Sequence, residues 1–296
     1  YRYVQNKDEN SAVYKFPDVL DRAVLNEPVP VHYINQVPAT VQKTQLRNRL
    51  ATLTEEQTKM IERDQKVPHY LDMGIVTRYR NMGSDRLVQL FGAGDLSKRK
   101  LNVNHRASLE GKNLTIASAF KTLQSYFGKI ENVNPEDMGS VPIYFDYGIT
   151  KVNRMQMMGA NNPQSNKLVR EAILPTWADV DLTNPDHKEL FFLSLAQMMG
   201  VKVHQMDRQS AIQAVQKKFD ERPKTLEYLA DENRKLSVEN IEEIKQENGG
   251  DITPAMFHAL IEYSRSVNHT EGPFRTSVYF EADGVTNGLM NAMMIL

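Results

Sequence analysis

The sequence has no cysteine, one tryptophan and almost no net charge: 36 Lys and Arg stand against 37 Asp and Glu over 296 residues. Without cysteine there are no disulfides, thiolate metal sites or cysteine nucleophiles, and the redox compartment stays open. A balance of −1 gives no global basic field to announce nucleic acid. Long apolar runs are missing too. The longest candidate, "FFLSLAQMMGV", is interrupted by Ser194 and Gln197 and falls short of the roughly 18 residues that span a bilayer. No membrane anchor is expected. The first residues, "YRYVQNKDEN", have neither an initiator Met nor the apolar stretch of a signal peptide, so both ends read as cuts through a longer polypeptide. Nucleotide-binding signatures are lacking as well. "GAGDLS" has no third glycine and no strong preceding strand, and neither a P-loop nor a G-x-S-x-G elbow occurs. The seven histidines fall at no metal-ligand spacing and read as polar, hydrogen-bonded residues.

What remains is a globular composition, 41% apolar and 25% charged, with charge distributed unevenly. Lys151, Arg154, Lys167 and Arg170 occur between Tyr147 and Arg170 with no acid among them. "LSKRKLNVNHR" is a second basic run, and acids gather between Asp220 and Asp251. Each basic run fits a solvated face as well as a binding face.

The first 50 or so residues read as irregular, broken by prolines, with one short helix near 18–25. A capping box, Thr54 with Gln57, opens the next helix, and Pro68 ends it. A helix in "HYLDMGIVTRYRNMG" follows, then a short one capped by Ser84 and closed at Gly92. After Asn113, Ile116, Phe120, Leu123, Phe127 and Ile130 mark an amphipathic helix. Strands are expected at 142–145 and 149–157 around a hairpin turn at Asp146-Tyr147-Gly148, then a helix over "NPQSNKLVREAIL". Helices are expected over 188–199, 208–220, 224–229, 238–246 and 254–266, and a last strand over 277–282 that would join the middle strands in one sheet. The fold class is α+β, mostly helical with a small antiparallel sheet.

Two stretches bear on chemistry. "VYFEADGVTNG" brings Asp283 to the end of a strand, with Gly284 free to turn the backbone and a helix start beyond. This is either an Asp-Gly turn with an Asx hydrogen bond or a carboxylate and carbonyl suited to Mg²⁺ and a phosphate. "TKVNRMQMMGANNPQSNKLVR" presents Lys151 and Arg154 on an extended run and Gln164, Lys167 and Arg170 on the following helix. Amides and cations without local acids suit a phosphate backbone, though distant acids would neutralise the same face.

These two stretches, "MQMMGANNPQSNKLVREAILPT" and "YFEADGVTNGLMNAMM", resemble the virion-encapsidated RNA polymerases of short-tailed phages, a divergent branch of the single-subunit RNA polymerases. "LFGAGDLSKRKLNVNHRASLEGKN" and "VPATVQKTQLRN" resemble the same branch, so the likeness covers essentially the whole chain. The resemblance implies a DNA-directed RNA polymerase with a right-hand fold and a palm-type antiparallel sheet. It implies that Asp283 is the first catalytic carboxylate of the palm and that, with the carbonyl of Gly284, it holds Mg²⁺. Two ions about 3.5–4 Å apart would clamp the attacking and leaving oxygens. The family's T-x-x-G-R motif corresponds to Thr150-Lys-Val-Asn-Arg154, with Asn153 where the family has glycine. Arg154 would then touch the template or hybrid beside the reaction, and Lys151, Gln164, Lys167 and Arg170 would line the same channel. The implied divisions are a helical region at 1–135, a palm hairpin with its helix at 136–183, an acidic helical insertion at 184–270 and the motif A strand at 271–296. Implied partners are single-stranded template DNA with a hairpin promoter, nucleoside triphosphates and RNA, for a monomeric enzyme carried in the virion and then released into the host cytoplasm. The family's fingers and second catalytic Asp follow motif A, so residues 1–296 alone are expected to be inactive. The competing reading is a non-catalytic virion protein that keeps the polymerase fold.

Overall fold

The computed structural model describes the backbone of 2–5, 12–15 and 24–25, and residues 54–97, 99–130, 141–149, 155–159, 161–174, 176–250 and 252–278. The chain divides into two compact units: Tyr1–Thr176 with Glu232–Ile241, and Trp177–Asp231 with Glu242–Leu296. Helices dominate both, and the described strands form five two-stranded antiparallel sheets.

In the first unit, β1 (Arg2–Gln5) pairs with β2 (Ala12–Lys15), a hairpin in a region expected to be irregular. Val24 and Leu25 form β3, paired with β5 (Ile143–Tyr144), instead of ending a helix. Long-range pairing of two apolar dipeptides overrides the weak local helical pattern there. Helix α1 (Glu55–Gln65) opens on the expected capping box: Thr54 Oγ1 accepts from Gln57 N at 3.1 Å, and Gln57 Oε1 accepts from Thr54 N at 3.0 Å. Tyr70–Leu71 (β4) then pair with β8 (Ile173–Leu174).

Helix α2 (Met73–Phe91) is capped by Asp72 and breaks at Gly83, whose φ of 74° suits glycine, so the two helices expected here meet end to end. Helix α3 (Val103–Ile130) packs on α2 and buries Ile116, Ala119, Phe120, Leu123 and Tyr126. It starts about three turns before the expected point. Asn102 Oδ1 accepts from His105 N at 2.8 Å, and the first turns carry polar residues that leave no apolar period to read. Asn113 fastens the α2–α3 connection, accepting from Ala93 N at 2.8 Å and donating to Gly94 O at 2.9 Å.

The expected turn at Asp146-Tyr147-Gly148 is not a turn. Tyr147 and Gly148 lie inside β6 (Tyr147–Ile149), which pairs with β7 (Met155–Met157), Ile149 opposite Met155. Gly148 leaves room for a neighbouring side chain: a Cβ there would lie 2.9 Å from Met158 Sδ, so Met158 would have to shift. Helix α4 (Lys167–Ala172) is shorter than expected, because Pro163 sits in a turn and Ile173–Leu174 extend to meet β4.

The second unit follows the sequence reading closely. It holds β9 (Ala178–Val180), α5 (Pro185–Met198), α6 (Arg208–Asp220), α7 (Pro223–Ala230) and α9 (Pro254–Val267). It also holds β10 (Phe274–Thr276) and the part of α8 (Val238–Glu247) that starts at Glu242. Asn184, Asp207 and Thr253 cap their helices, and Pro185, Pro223 and Pro254 occupy first turns. No side chain next to α7 caps it. Glu247 does so from α8, accepting from Lys224 N at 3.1 Å and from Thr225 N and Oγ1 at 2.7 Å each. The core of the unit is aromatic. Phe219 stacks on Tyr263 at 3.9 Å, and Phe191 meets Phe274 edge-on at 5.6 Å. Of the last expected strand, Ser277 and Val278 lie just beyond β10, which pairs with β9, and residues 279–282 fall outside the described residues. Among the described residues no helix is long and apolar enough to cross a membrane.

Candidate functional site

The described part of the basic stretch is built around one asparagine. Asn162, 1% exposed, accepts from Gln164 N at 3.0 Å and Ser165 N at 2.9 Å. Its amide donates toward the carbonyls of Met157, Met158 and Gly159 at 3.2, 3.4 and 3.0 Å. The chain is thereby turned from β7 into the start of α4. The neighbouring asparagines have other tasks. Asn161 donates to Ser118 Oγ at 2.8 Å and Thr122 Oγ1 at 3.0 Å on α3, and Asn166 caps α4 through Leu168 N at 2.9 Å.

This turn brings together two of the expected nucleic-acid contacts. Gln164 Oε1 accepts from Met157 N at 2.6 Å. Arg170 donates from Nε to Pro163 O at 2.9 Å and from Nη2 to Gln164 O at 3.1 Å. Its guanidinium therefore braces the turn. Lys167 is exposed, while Leu168, Val169 and Ala172 of the same helix are buried, so its ammonium faces solvent on the side away from the core. Lys151 and Arg154 lie outside the described residues, as does all of 150–154, the segment between the paired strands β6 and β7.

Beneath β5 the unit is tightly packed. His69 is buried edge-on to Phe145 at 5.1 Å, with Nδ1 3.1 Å from Val67 O. Burial pushes its pKa down to about 4, against a smaller upward effect of the Val67 bond, so the ring is neutral near pH 7. Burial, and then the Asp64 carboxylate, push Tyr147 up to about 12, so this phenol stays protonated in the strand that leads to 150–154.

Asp283 and Gly284 also lie outside the described residues. The chain leading toward them is described as far as Val278, and polar side chains of α9 hold it. His258 Nε2 lies 2.8 Å from Ser277 Oγ, Thr276 Oγ1 donates to Glu262 Oε2, and Arg265 bonds both Glu262 Oε1 and, at 3.1 Å, Arg275 O. Sequence reasoning did not single these residues out. The available signal was a His, a Glu and an Arg recurring along an otherwise apolar helix, "MFHALIEYSR".

Comparison with known proteins bears on the whole chain. Residues 56–173 match a family described as "Virion DNA-directed RNA polymerase domain". Residues 189–267 match one described as "Virion DNA-directed RNA polymerase, plug insertion". The virion DNA-directed RNA polymerase of Enterobacteria phage N4 is 39% identical over 297 aligned residues, covering 98% of this chain. The chain spans 8% of that protein's length. The chain belongs to the virion DNA-directed RNA polymerase family.

Proposed function

We propose that this chain forms part of a phage-encoded DNA-directed RNA polymerase carried in the virion, and that it supplies one palm carboxylate and part of the nucleic-acid channel. The observation that carries the reading is the 39% identity to a virion RNA polymerase across 98% of the chain. In this reading 136–183 and 271–296 belong to the palm of a right-hand polymerase, and the acidic helices at 184–270 are an insertion between them.

Asp283 and the carbonyl of Gly284 offer hard oxygen donors only, the donor type that Mg²⁺ takes while keeping waters and substrate phosphates. Mg²⁺ bound there supplies charge neutralisation and lowers the pKa of the attacking hydroxyl. The other work falls to residues of the chain. Arg154 and Lys151 neutralise phosphates beside the reaction, and Lys167 adds a solvent-facing cation. Gln164 holds the β7–α4 turn through its amide oxygen, and Arg170 braces the same turn from behind. Phosphoryl transfer asks mainly for positioning and electrostatic stabilisation, which these parts provide. Template DNA, nucleoside triphosphates and the RNA product are the partners, and host cytoplasm is the site of action after ejection. Residues 1–296 hold one carboxylate of the expected pair and are expected to make no RNA alone.

The test is templated synthesis by the full polymerase chain that carries this segment, with single-stranded DNA, Mg²⁺ and nucleotides. RNA complementary to the template supports the reading. A folded chain that binds DNA and makes no RNA would overturn it in favour of a non-catalytic virion protein.

A further inference from the structure

Helix α9 carries a buried carboxylate and a buried imidazole: Glu262 and His258 are each 1% exposed. A buried ionisable group is costly unless it is paired and hydrogen-bonded. Here the partners fall on consecutive residues of one short stretch. Arg275 is held by its carbonyl, Thr276 by its hydroxyl and Ser277 by its hydroxyl, from Arg265, Glu262 and His258 in turn. The three helix residues lie at spacings of four and three, so they form one stripe. Thr276 Oγ1 also accepts from Val278 N at 3.3 Å, which carries the restraint one residue further. Thr276 and Ser277 are 0% and 4% exposed, so their bonds to Glu262 and His258 are interior, while the Arg265 bond to Arg275 lies at the surface.

Packing alone would not need this arrangement. Phe274 already anchors the strand against Phe191 at 5.6 Å. An apolar contact tolerates sliding, whereas three hydrogen bonds to three successive residues allow one register. A slip of one residue moves the following chain by about 3.3 Å and turns its side chains to the opposite face. β10 pairs with β9 over three residues only, Phe274 to Thr276, so the ladder itself is a weak register lock. The stripe also crosses a boundary: α9 ends the segment that matches the plug insertion, residues 189–267, and β10 lies after it.

We propose that His258, Glu262 and Arg265 are positioning residues: they fix the register of the strand that leads to Asp283 and so place its carboxylate. This rests on the reading of Asp283 as the metal carboxylate. The last helix of the plug-matching segment is thereby the mount of β10, and the hydroxyls of Thr276 and Ser277 are its fixing points.

The test uses the full polymerase chain with Thr276→Val and Ser277→Ala combined, and Thr276→Ser as the conservative variant. Amide exchange by mass spectrometry reads the strand, single-turnover kinetics read chemistry, and single-stranded DNA binding reads the channel. In the double variant, exchange over 275–283 speeds by at least about tenfold, the loss of one such hydrogen bond. The single-turnover rate falls while template affinity is unchanged, half-saturation in Mg²⁺ moves to higher concentration, and Thr276→Ser restores the Val278 region and the rate. Unchanged exchange over 275–283 or an unchanged rate in the double variant overturns the proposal. So does faster exchange spread evenly over 185–267, which marks a merely structural role. Asp283→Asn run in parallel separates the two levels: if it still makes RNA, the reading of Asp283 has failed; if it is dead while the double variant is normal, only the register proposal has failed.

Discussion

Replacing Asn162 by Ala should open the β7–α4 turn. The side chain offers two amide hydrogens to three carbonyls and accepts from two backbone N–H groups, and it is 1% exposed. Its two hydrogens satisfy two carbonyls at a time, so four hydrogen bonds are lost together. At about 1 kcal/mol each, before any desolvation cost for groups left buried, the loss is at least about 4 kcal/mol. Local opening governs exchange here, so the Gln164 amide should exchange several hundredfold faster, on the scale of about 1.4 kcal/mol per factor of ten, and the Ser165 amide less so, because it also donates to Asn162 O at 3.1 Å. Asn162→Asp should cost at least as much. It keeps the acceptor for Gln164 and Ser165 but turns a carboxylate oxygen toward the carbonyls of Met157, Met158 and Gly159. The assay is amide exchange over 155–172 in the folded protein, with single-stranded DNA affinity measured alongside. Loss of the turn should weaken DNA binding, because Lys167 and Gln164 are presented by it. Unchanged exchange at Gln164 in Asn162→Ala would refute the reasoning, since the turn would then be held by something other than this side chain.

Three further outcomes follow from the same unit. Lys167→Ala should reduce the salt dependence of single-stranded DNA binding by about 0.7 in log–log slope, one phosphate contact, with the turn's exchange unchanged. Arg170→Lys should do the reverse in emphasis, speeding exchange at Gln164 and Ser165, because an ammonium cannot reproduce the fork that holds both Pro163 O and Gln164 O. His69 should make stability pH-dependent. Its folded pKa of about 4 lies below the unfolded value of 6.5, so the unfolded chain takes up the proton first. Stability is intact above pH 6.5 and falls as pH drops toward 4, by about 3 kcal/mol over the window. His69→Gln should flatten that slope in urea unfolding at pH 7.5, 6 and 4.5, and parallel slopes for the two proteins would refute the assignment.

Legibility in the sequence varied with the length and kind of signal. The helices of the second unit were readable because their apolar period, their caps at Asn184, Asp207 and Thr253 and their first-turn prolines agree with one another. The dipeptide strands were not. Val24–Leu25 pairing with Ile143–Tyr144, and Tyr70–Leu71 with Ile173–Leu174, are decided by partners more than 100 residues away. Gly148 reads in sequence as a turn residue, because a glycine beside a bulky neighbour looks there like one needed for its backbone angle. "NPQSN" reads as the start of a helix, and nothing in or beside it assigns Asn161 to α3, Asn162 to a turn and Asn166 to the cap. Within the candidate site, the exposed placement of Lys167 follows from the buried Leu168 and Val169 beside it, whereas Arg170's use as a brace depends on carbonyls that only the folded turn provides. The general reading of the histidines as hydrogen-bonded residues fits His69 and His258. The pattern leaves Asp283, Gly284, Lys151 and Arg154 with two readings each, since an Asp-Gly pair after a strand is a common turn and a basic run fits a solvated face, and the resemblance to the polymerase family is what favours one of them.

The measurement that tests the account most directly compares wild type and Asp283→Asn of the full polymerase chain in two readouts, RNA synthesis on a single-stranded DNA template with Mg²⁺ and binding of that template. Asparagine keeps the size of the side chain and removes the charge that is proposed to hold the metal. The account predicts synthesis lowered by at least about a thousandfold, the scale of a lost transition-state charge interaction, with template affinity unchanged. RNA synthesis by Asp283→Asn at near the wild-type rate would contradict it.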